Sequence, residues 1–288
     1  MGRLLIVADP KDSCFATPRG LELAHKLGLK AEVVAFVYAP LKRLKVSTGE
    51  KAAIKKRLLG ERDKEIHARV DQFKQPGQKV VVTVVWEKDI SRWVTKRCSR
   101  PYEAVVKTGH RSHSLINTST DWQLLRECPV PVLIVAEKKW HRTKPILAAV
   151  DLGTARKEKR ALNHLVIATG KRMAQALDTQ FKLICALEIP TLLADLDLVD
   201  PVAYTNEAKK AMKPHIQELA RAHDLPVSAF RCKRGPVAKV ITSEAAQLRA
   251  QLVVIGTAGR RGVQARLLGN TAESVLVHLG TDVLAIKL

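Results

Sequence analysis

Short apolar runs recur along the chain, separated by longer stretches in which apolar positions fall at helical spacing. In the first half the runs cover 4–8, 31–38, 80–86, 103–107 and 132–135; in the second, 146–150, 181–187, 227–231, 252–255 and 283–286. They are short, rich in β-branched residues and apolar on both faces, which predicts parallel strands buried between helices. The intervening stretch "AAIKKRLLGERDKEIHARVDQF" puts Ile54, Leu58, Ile66, Val70 and Phe73 on one stripe, and Ala208, Met212, Ile216 and Leu219 do the same in the second half. Pro214 is expected to kink or divide that second helix. Five strand–helix units per half predict an α/β fold with a doubly wound, five-stranded parallel sheet in each.

The halves are also versions of one sequence. "LLIVADP" aligns with "ILAAVDL", "AEVVAFVYAP" with "FKLICALEIP", and "TDWQLLREC" with "TAESVLVHL". The spacing between partners grows only slowly, so the halves are colinear with few insertions. Two domains are expected, 1–138 and 144–288, joined by the polar "EKKWHRTKP" and folding as an internal pseudo-dimer.

Composition narrows the class. No apolar run reaches the length of a membrane span, and "MGRLLIVADPKD" meets a charge too early for a signal peptide, so a soluble cytoplasmic chain without a membrane partner is expected. Five widely spaced cysteines with no C-x-x-C argue against a disulfide framework or zinc ribbon; they read as small buried hydrophobes in a reducing cytosol. The net charge of +21 is divided between the halves and is not a basic tail. With aromatics at only 4%, unspecific association with nucleic acid is the most such a surface suggests, and a solvated basic surface is the simpler reading.

Chemistry concentrates at strand ends. In open parallel sheets ligands sit at the carboxyl ends of the strands, near the switch in strand order. The first strand of the second half ends at Asp151. The fourth runs into "IGTAGRRGVQARLLGNTAESV", a G-x2-G-x9-G-N pattern built from Gly256, Gly259, Gly269 and Asn270. Gly256 is expected to turn sharply, and Gly259 to adopt positive φ, so that backbone N–H groups face an anion. Asn270, Thr271 and Glu273 then read as a capped helix start, a second anion-binding element. Arg260 and Arg261 add charge.

At these residues the chain resembles the universal stress protein family, whose nucleotide-binding members carry G-x2-G-x9-G-[ST] here. Over nearly its whole length it is similar to the tandem, E-type members. The resemblance implies strand order 3-2-1-4-5 in each half, as in adenine nucleotide alpha hydrolase-like folds. It implies ATP or a related adenine nucleotide as ligand, with Mg²⁺ as the accompanying ion. Asp151 would then sit by the ribose or metal, Leu187 by the adenine, and Gly256, Gly259, Gly269, Asn270 and Thr271 by the phosphates. It also implies a role in stress resistance and survival of DNA damage, and leaves a homodimer open. Asn270 departs from the Ser or Thr of the motif. The first half departs further: Thr108, Arg111 and Thr118 stand at the three glycine positions, the excursion is shorter, and only Asp9 at the end of the first strand remains. Nucleotide binding is therefore expected in the second half alone.

Other constellations carry less. His110 and His113 lack Cys or acidic partners for a metal. Asp195, Asp197 and Asp200 lack the glycine and terminal Glu of a calcium loop, and Asp200 before Pro201 reads as a helix cap. No G-x-S-x-G or G-x-G-x-x-G motif is present. No catalytic residue and no metal ligand is assigned, and a non-enzymatic binding module is expected. A nucleotide-free scaffold with a basic binding surface, and a weak ATPase, stand as the alternatives.

Overall fold

The computed structural model describes residues 2–9, 14–109, 120–137, 140, 142–190, 199–257 and 270–288, the side chains of 270 and 271 excepted. It divides into two compact units, Met1–Lys138 and Lys139–Leu288.

The first unit contains β1 (Arg3–Ala8), α1 (Ala16–Lys26), β2 (Lys30–Val37), α2 (Thr48–Phe73), β3 (Val80–Trp86), α3 (Ile90–Arg97), β4 (Ala104–Thr108), α4 (Thr120–Glu127) and β5 (Val132–Val135). Its strands are ordered β3-β2-β1-β4-β5, all parallel. The second unit contains β6 (Ile146–Ala149), α5 (Lys157–Ala176), β7 (Phe181–Leu187), α6 (Pro201–Ala222), β8 (Phe230–Arg234), α7 (Val237–Gln247), β9 (Leu252–Gly256), α8 (Asn270–His278) and β10 (Asp282–Ile286). Its order is β8-β7-β6-β9-β10, again parallel, which is the order 3-2-1-4-5 repeated.

Helix ends follow local chemistry. Ser47 and Glu50 form a reciprocal capping box at the start of α2, with the Glu50 carboxylate accepting from the Ser47 N–H at 2.8 Å. Asp200 caps α6 by accepting from the Ala203 N–H at 2.6 Å, with Pro201 in the first turn, as its sequence suggests. Four helices end in the same left-handed motif, at Gly28, Asp178, Asp224 and Arg249. In each, the residue after the positive-φ position donates back to a carbonyl five residues earlier, satisfying an otherwise orphaned acceptor. Only one of the four uses glycine, so sequence alone does not announce them.

The central strands are buried on both faces, with Leu5, Ile6, Val33, Ile146, Leu147 and Val254 essentially inaccessible. Gly20 of α1 and Gly170 of α5 occupy corresponding places. A Cβ on Gly20 would lie 2.6 Å from Ile6, and one on Gly170 2.5 Å from Phe181, so each glycine lets the first helix of its unit lie directly on the sheet.

Three expectations need correction. The third strand of the second unit is not 227–231. Val227–Ala229 forms a 3₁₀ turn after Pro226, and β8 starts at Phe230, where pairing with Leu183 begins. Strands β3 and β8 are also not buried on both faces: each is last in its unit's strand order, and Val81 is half exposed. Finally, Pro214 does not divide α6, which runs unbroken from Pro201 to Ala222. The turn around Pro214 is largely solvent-facing, so water can satisfy the carbonyl that loses its partner.

Candidate functional site

The carboxyl ends of β6, β7 and β9 bring Asp151, Leu187 and Gly256 to one edge of the second sheet. Strand β6 lies between the other two. Asp151 follows β6 after one residue, Val150, and its peptide is held from both sides by one buried amide. Its N–H donates to Asn163 Oδ1 at 3.0 Å, and its carbonyl accepts from Asn163 Nδ2 at 2.8 Å. The carboxylate is left half exposed, with Lys159 Nζ at 2.9 Å. Leu187 ends β7, buried, and its carbonyl accepts from the Gly235 N–H at 3.0 Å.

Gly256 does not make a sharp turn. It lies within β9, in register with Ile286, and its φ is not positive. Its lack of a side chain serves packing: a Cβ there would come 2.6 Å from Leu162 Cδ2. Adjacent residues of α5 thus hold two of the predicted site residues, Leu162 covering Gly256 and Asn163 orienting Asp151. Thr257 follows, buried, with its N–H and hydroxyl both donating to the Ile286 carbonyl. Gly259, Gly269, Arg260 and Arg261 lie outside the described residues. Asn270 and Thr271 open α8.

Asn163, Lys159 and Leu162 were not singled out from sequence. An Asn inside the apolar stripe of α5 was the available signal, since a buried amide needs partners for both its ends. The polar seam between α5 and α6 was equally missed. His215 Nδ1 donates to the Leu152 carbonyl at 3.2 Å, and His164 Nδ1 lies 2.9 Å from His223 Nε2. Burial, then the neighbouring His164 and Lys171, hold the His223 pKa below its ordinary value. A cavity of ≈ 30 Å³ beside Asp151, lined also by Asn163, His164 and His215, has room for about one water molecule and not for a nucleotide.

The corresponding edge of the first unit is built differently. Lys107, the last residue but one of β4, extends its ammonium to 2.7 Å from Asp121 Oδ1 and 3.9 Å from Asp9 Oδ1, and donates to the Thr108 carbonyl at 2.8 Å. All three side chains are nearly inaccessible. Arg62 and Arg69 of α2 donate to the Asp9 carbonyl at 2.8 and 2.9 Å, while Glu65 pairs with both guanidinium groups. The Asp9 N–H donates to Cys14 Sγ, in the role that Asn163 has beneath Asp151. In the aligned positions of the second unit stand Ile255 for Lys107 and Ala272 for Asp121, both buried.

Of the other sequence candidates, His110, His113, Asp195 and Asp197 lie outside the described residues, and Asp200 is the cap already noted. No group of three or more His, Cys, Asp or Glu is placed to hold a metal among the described residues. No described helix is long and apolar enough to cross a membrane.

Two units in one chain, each a five-stranded parallel sheet of the same strand order with an aspartate just beyond its first strand, define a tandem α/β protein. The family model described as "Universal stress protein family" matches residues 142–287, half of the chain, and the chain belongs to that family. It is similar to Universal stress protein E of Escherichia coli strain K12, 28% identical over 294 residues, covering 99% of this chain and 93% of that one; its length fits the tandem, E-type members. Two solved structures share the fold. One is a functionally unknown protein from Pseudomonas aeruginosa PAO1 (TM-score 0.71, 22% identity, 99% of this chain and 92% of that one). The other is a universal stress protein from Archaeoglobus fulgidus (TM-score 0.67, 16% identity, 99% and 96%).

Proposed function

We propose that the chain is a non-enzymatic stress-response module that binds one adenine nucleotide, ATP with Mg²⁺, in its second unit. The observation that supports this best is the contrast between the two strand edges. In the first unit, the place beside the end of β1 is filled by the chain's own ions: Lys107 against Asp121 and Asp9, and two arginines on the Asp9 carbonyl. In the second unit Ile255 and Ala272 stand in place of Lys107 and Asp121, and the Asp151 carboxylate is half exposed, with the partly exposed Lys159 as its ion-pair partner among the described residues. An oriented carboxylate on a fixed peptide suits a ribose hydroxyl or a hydrated cation. The glycines that follow in the sequence motif, Gly259 and Gly269, and the N-terminus of α8 suit the phosphates.

Native mass spectrometry of the full chain with ATP and Mg²⁺ tests this reading. One nucleotide per chain is expected. Two per chain would contradict the assignment of the first unit, and none at millimolar ATP would contradict the function.

A further inference from the structure

The cysteines, dispersed in sequence, are brought together by the fold. Strands β7 and β8 place Cys185 and Cys232 in register as direct partners. Neighbouring strands run about 4.8 Å apart, and partner residues project to the same face. That separation falls within the Cα spacing a disulfide spans, about 4.4–6.8 Å. The Cys185 S–H donates to the Ala186 carbonyl at 3.6 Å, and its register partner Cys232 is the neighbouring thiol across the strand pair.

Their surroundings divide the labour. Cys185 is 2% exposed; the neighbouring Cys232 and then burial push its thiol up, so it stays protonated. Cys232 is partly exposed, on the strand at the end of the order. The neighbouring Cys185, against the opposing effect of burial and with help from the ammonium of Lys209, brings it down to about 7. An accessible sulfur with thiolate character beside a buried thiol is the arrangement that oxidants select. The first unit holds an internal contrast. Cys98 and Cys128 are both buried, at 3% and 1% exposure, and the neighbouring Cys128 followed by burial pushes the Cys98 thiol up.

We propose that Cys232 and Cys185 are an oxidative modification site, at which a hydroperoxide converts the pair to a disulfide across β8 and β7. The Cys232 thiolate attacks the outer peroxide oxygen. The O–O bond breaks, the leaving oxygen takes a proton and departs as water or an alcohol, and Cys232 becomes a sulfenic acid. The Cys185 sulfur then attacks the Cys232 sulfur, the S–O bond breaks, and the hydroxide leaves as water with the Cys185 proton. Two thiols are oxidised by one electron each, and one peroxide is reduced by two. The reaction requires no nucleotide, so it stands apart from the function proposed above. Its product ties together the strands that carry Leu187 and Arg234.

The test exposes the reduced, folded full chain to hydrogen peroxide, quenches with an alkylating agent in denaturant, and maps peptides by mass spectrometry. The expected result is a cross-linked peptide joining Cys185 to Cys232 and loss of alkylation at both, with Cys98 and Cys128 still alkylated. Cys185→Ser should leave a dimedone-reactive sulfenic acid on Cys232, and Cys232→Ser should abolish both products. Full alkylation of Cys185 and Cys232 after peroxide in the wild-type chain would overturn the proposal. So would a cross-link that joins other cysteines instead. Both outcomes are read on the wild-type chain and do not depend on how the variants fold.

Discussion

Lys107 Nζ and Asp121 Oδ1 lie 2.7 Å apart with both side chains almost wholly out of water, at the strand edge where the other half of the chain has Ile255 and Ala272. Removing the lysine alone takes the counter-charge at 2.7 Å from buried Asp121, with the Asp9 carboxylate also nearby, in a low-dielectric site. Lys107→Ile should therefore cost about 3–5 kcal/mol. Adding Asp121→Ala, which completes the copy of the second unit, should return a substantial part of that loss. Urea unfolding of the wild type, the single and the double variant checks this. A double variant no more stable than Lys107→Ile would show that the pair is not coupled.

A second buried carboxylate should behave more mildly. Glu32 is fully buried on β2, yet its partners Arg3 and Arg97 are about one-third and one-quarter exposed, and Tyr102 donates to it at 2.7 Å. On removal of Glu32 the guanidinium groups can turn to water, so Glu32→Ala should cost about 1–3 kcal/mol, less than Lys107→Ile. The same unfolding series ranks the two.

Gly256 offers a test of packing. Gly256→Ala places a methyl group 2.6 Å from Leu162 Cδ2, an overlap expected to cost about 1–3 kcal/mol. Leu162→Ala in the same chain makes room, so the double variant should lose less than the two single losses added together. Strict additivity would mean that the two residues do not meet.

These contacts show what sequence could and could not reveal. The strands at 80–86, 132–135 and 181–187 are found at their predicted bounds because short, predominantly apolar runs have few other ways to be satisfied. The repeat made the second half interpretable from the first. Asp151, Leu187 and Gly256 arrive at one sheet edge because parallel topology forces strand ends together. What escaped notice depends on contacts between distant segments. Asn163 matters only once α5 lies over Asp151, and Cys185 meets Cys232 only through the β7–β8 register, 47 residues apart in the chain. The third strand was misplaced because Val227 is apolar enough for a strand, while Pro226 and the pairing partner Leu183 start it at Phe230. Gly256 was given a turn because glycine permits one; the reason for it is the leucine above.

The histidine seam predicts a pH dependence. His223 has its folded pKa held below the ordinary 6.5. Between the folded value and 6.5 the unfolded chain binds more protons than the folded one, so stability rises with pH across that window. It should be complete above 6.5 and fall as pH drops below it. Urea midpoints between neutral pH and about pH 5 should show this decline, and His223→Gln should flatten it. An unchanged slope in that variant would remove His223 as the source.

The central claim is that the nucleotide belongs to the second unit and is oriented by Asp151. Calorimetry of the full chain with ATP and Mg²⁺ tests it most directly, comparing the wild type with Asp151→Asn and with Lys107→Ile/Asp121→Ala. Saturable binding is predicted for the wild type, about tenfold weaker in Asp151→Asn, because one charge-assisted contact is lost. It is predicted to be unchanged in the first-unit double variant. Binding that survives Asp151→Asn intact but disappears in the first-unit variant would contradict the account.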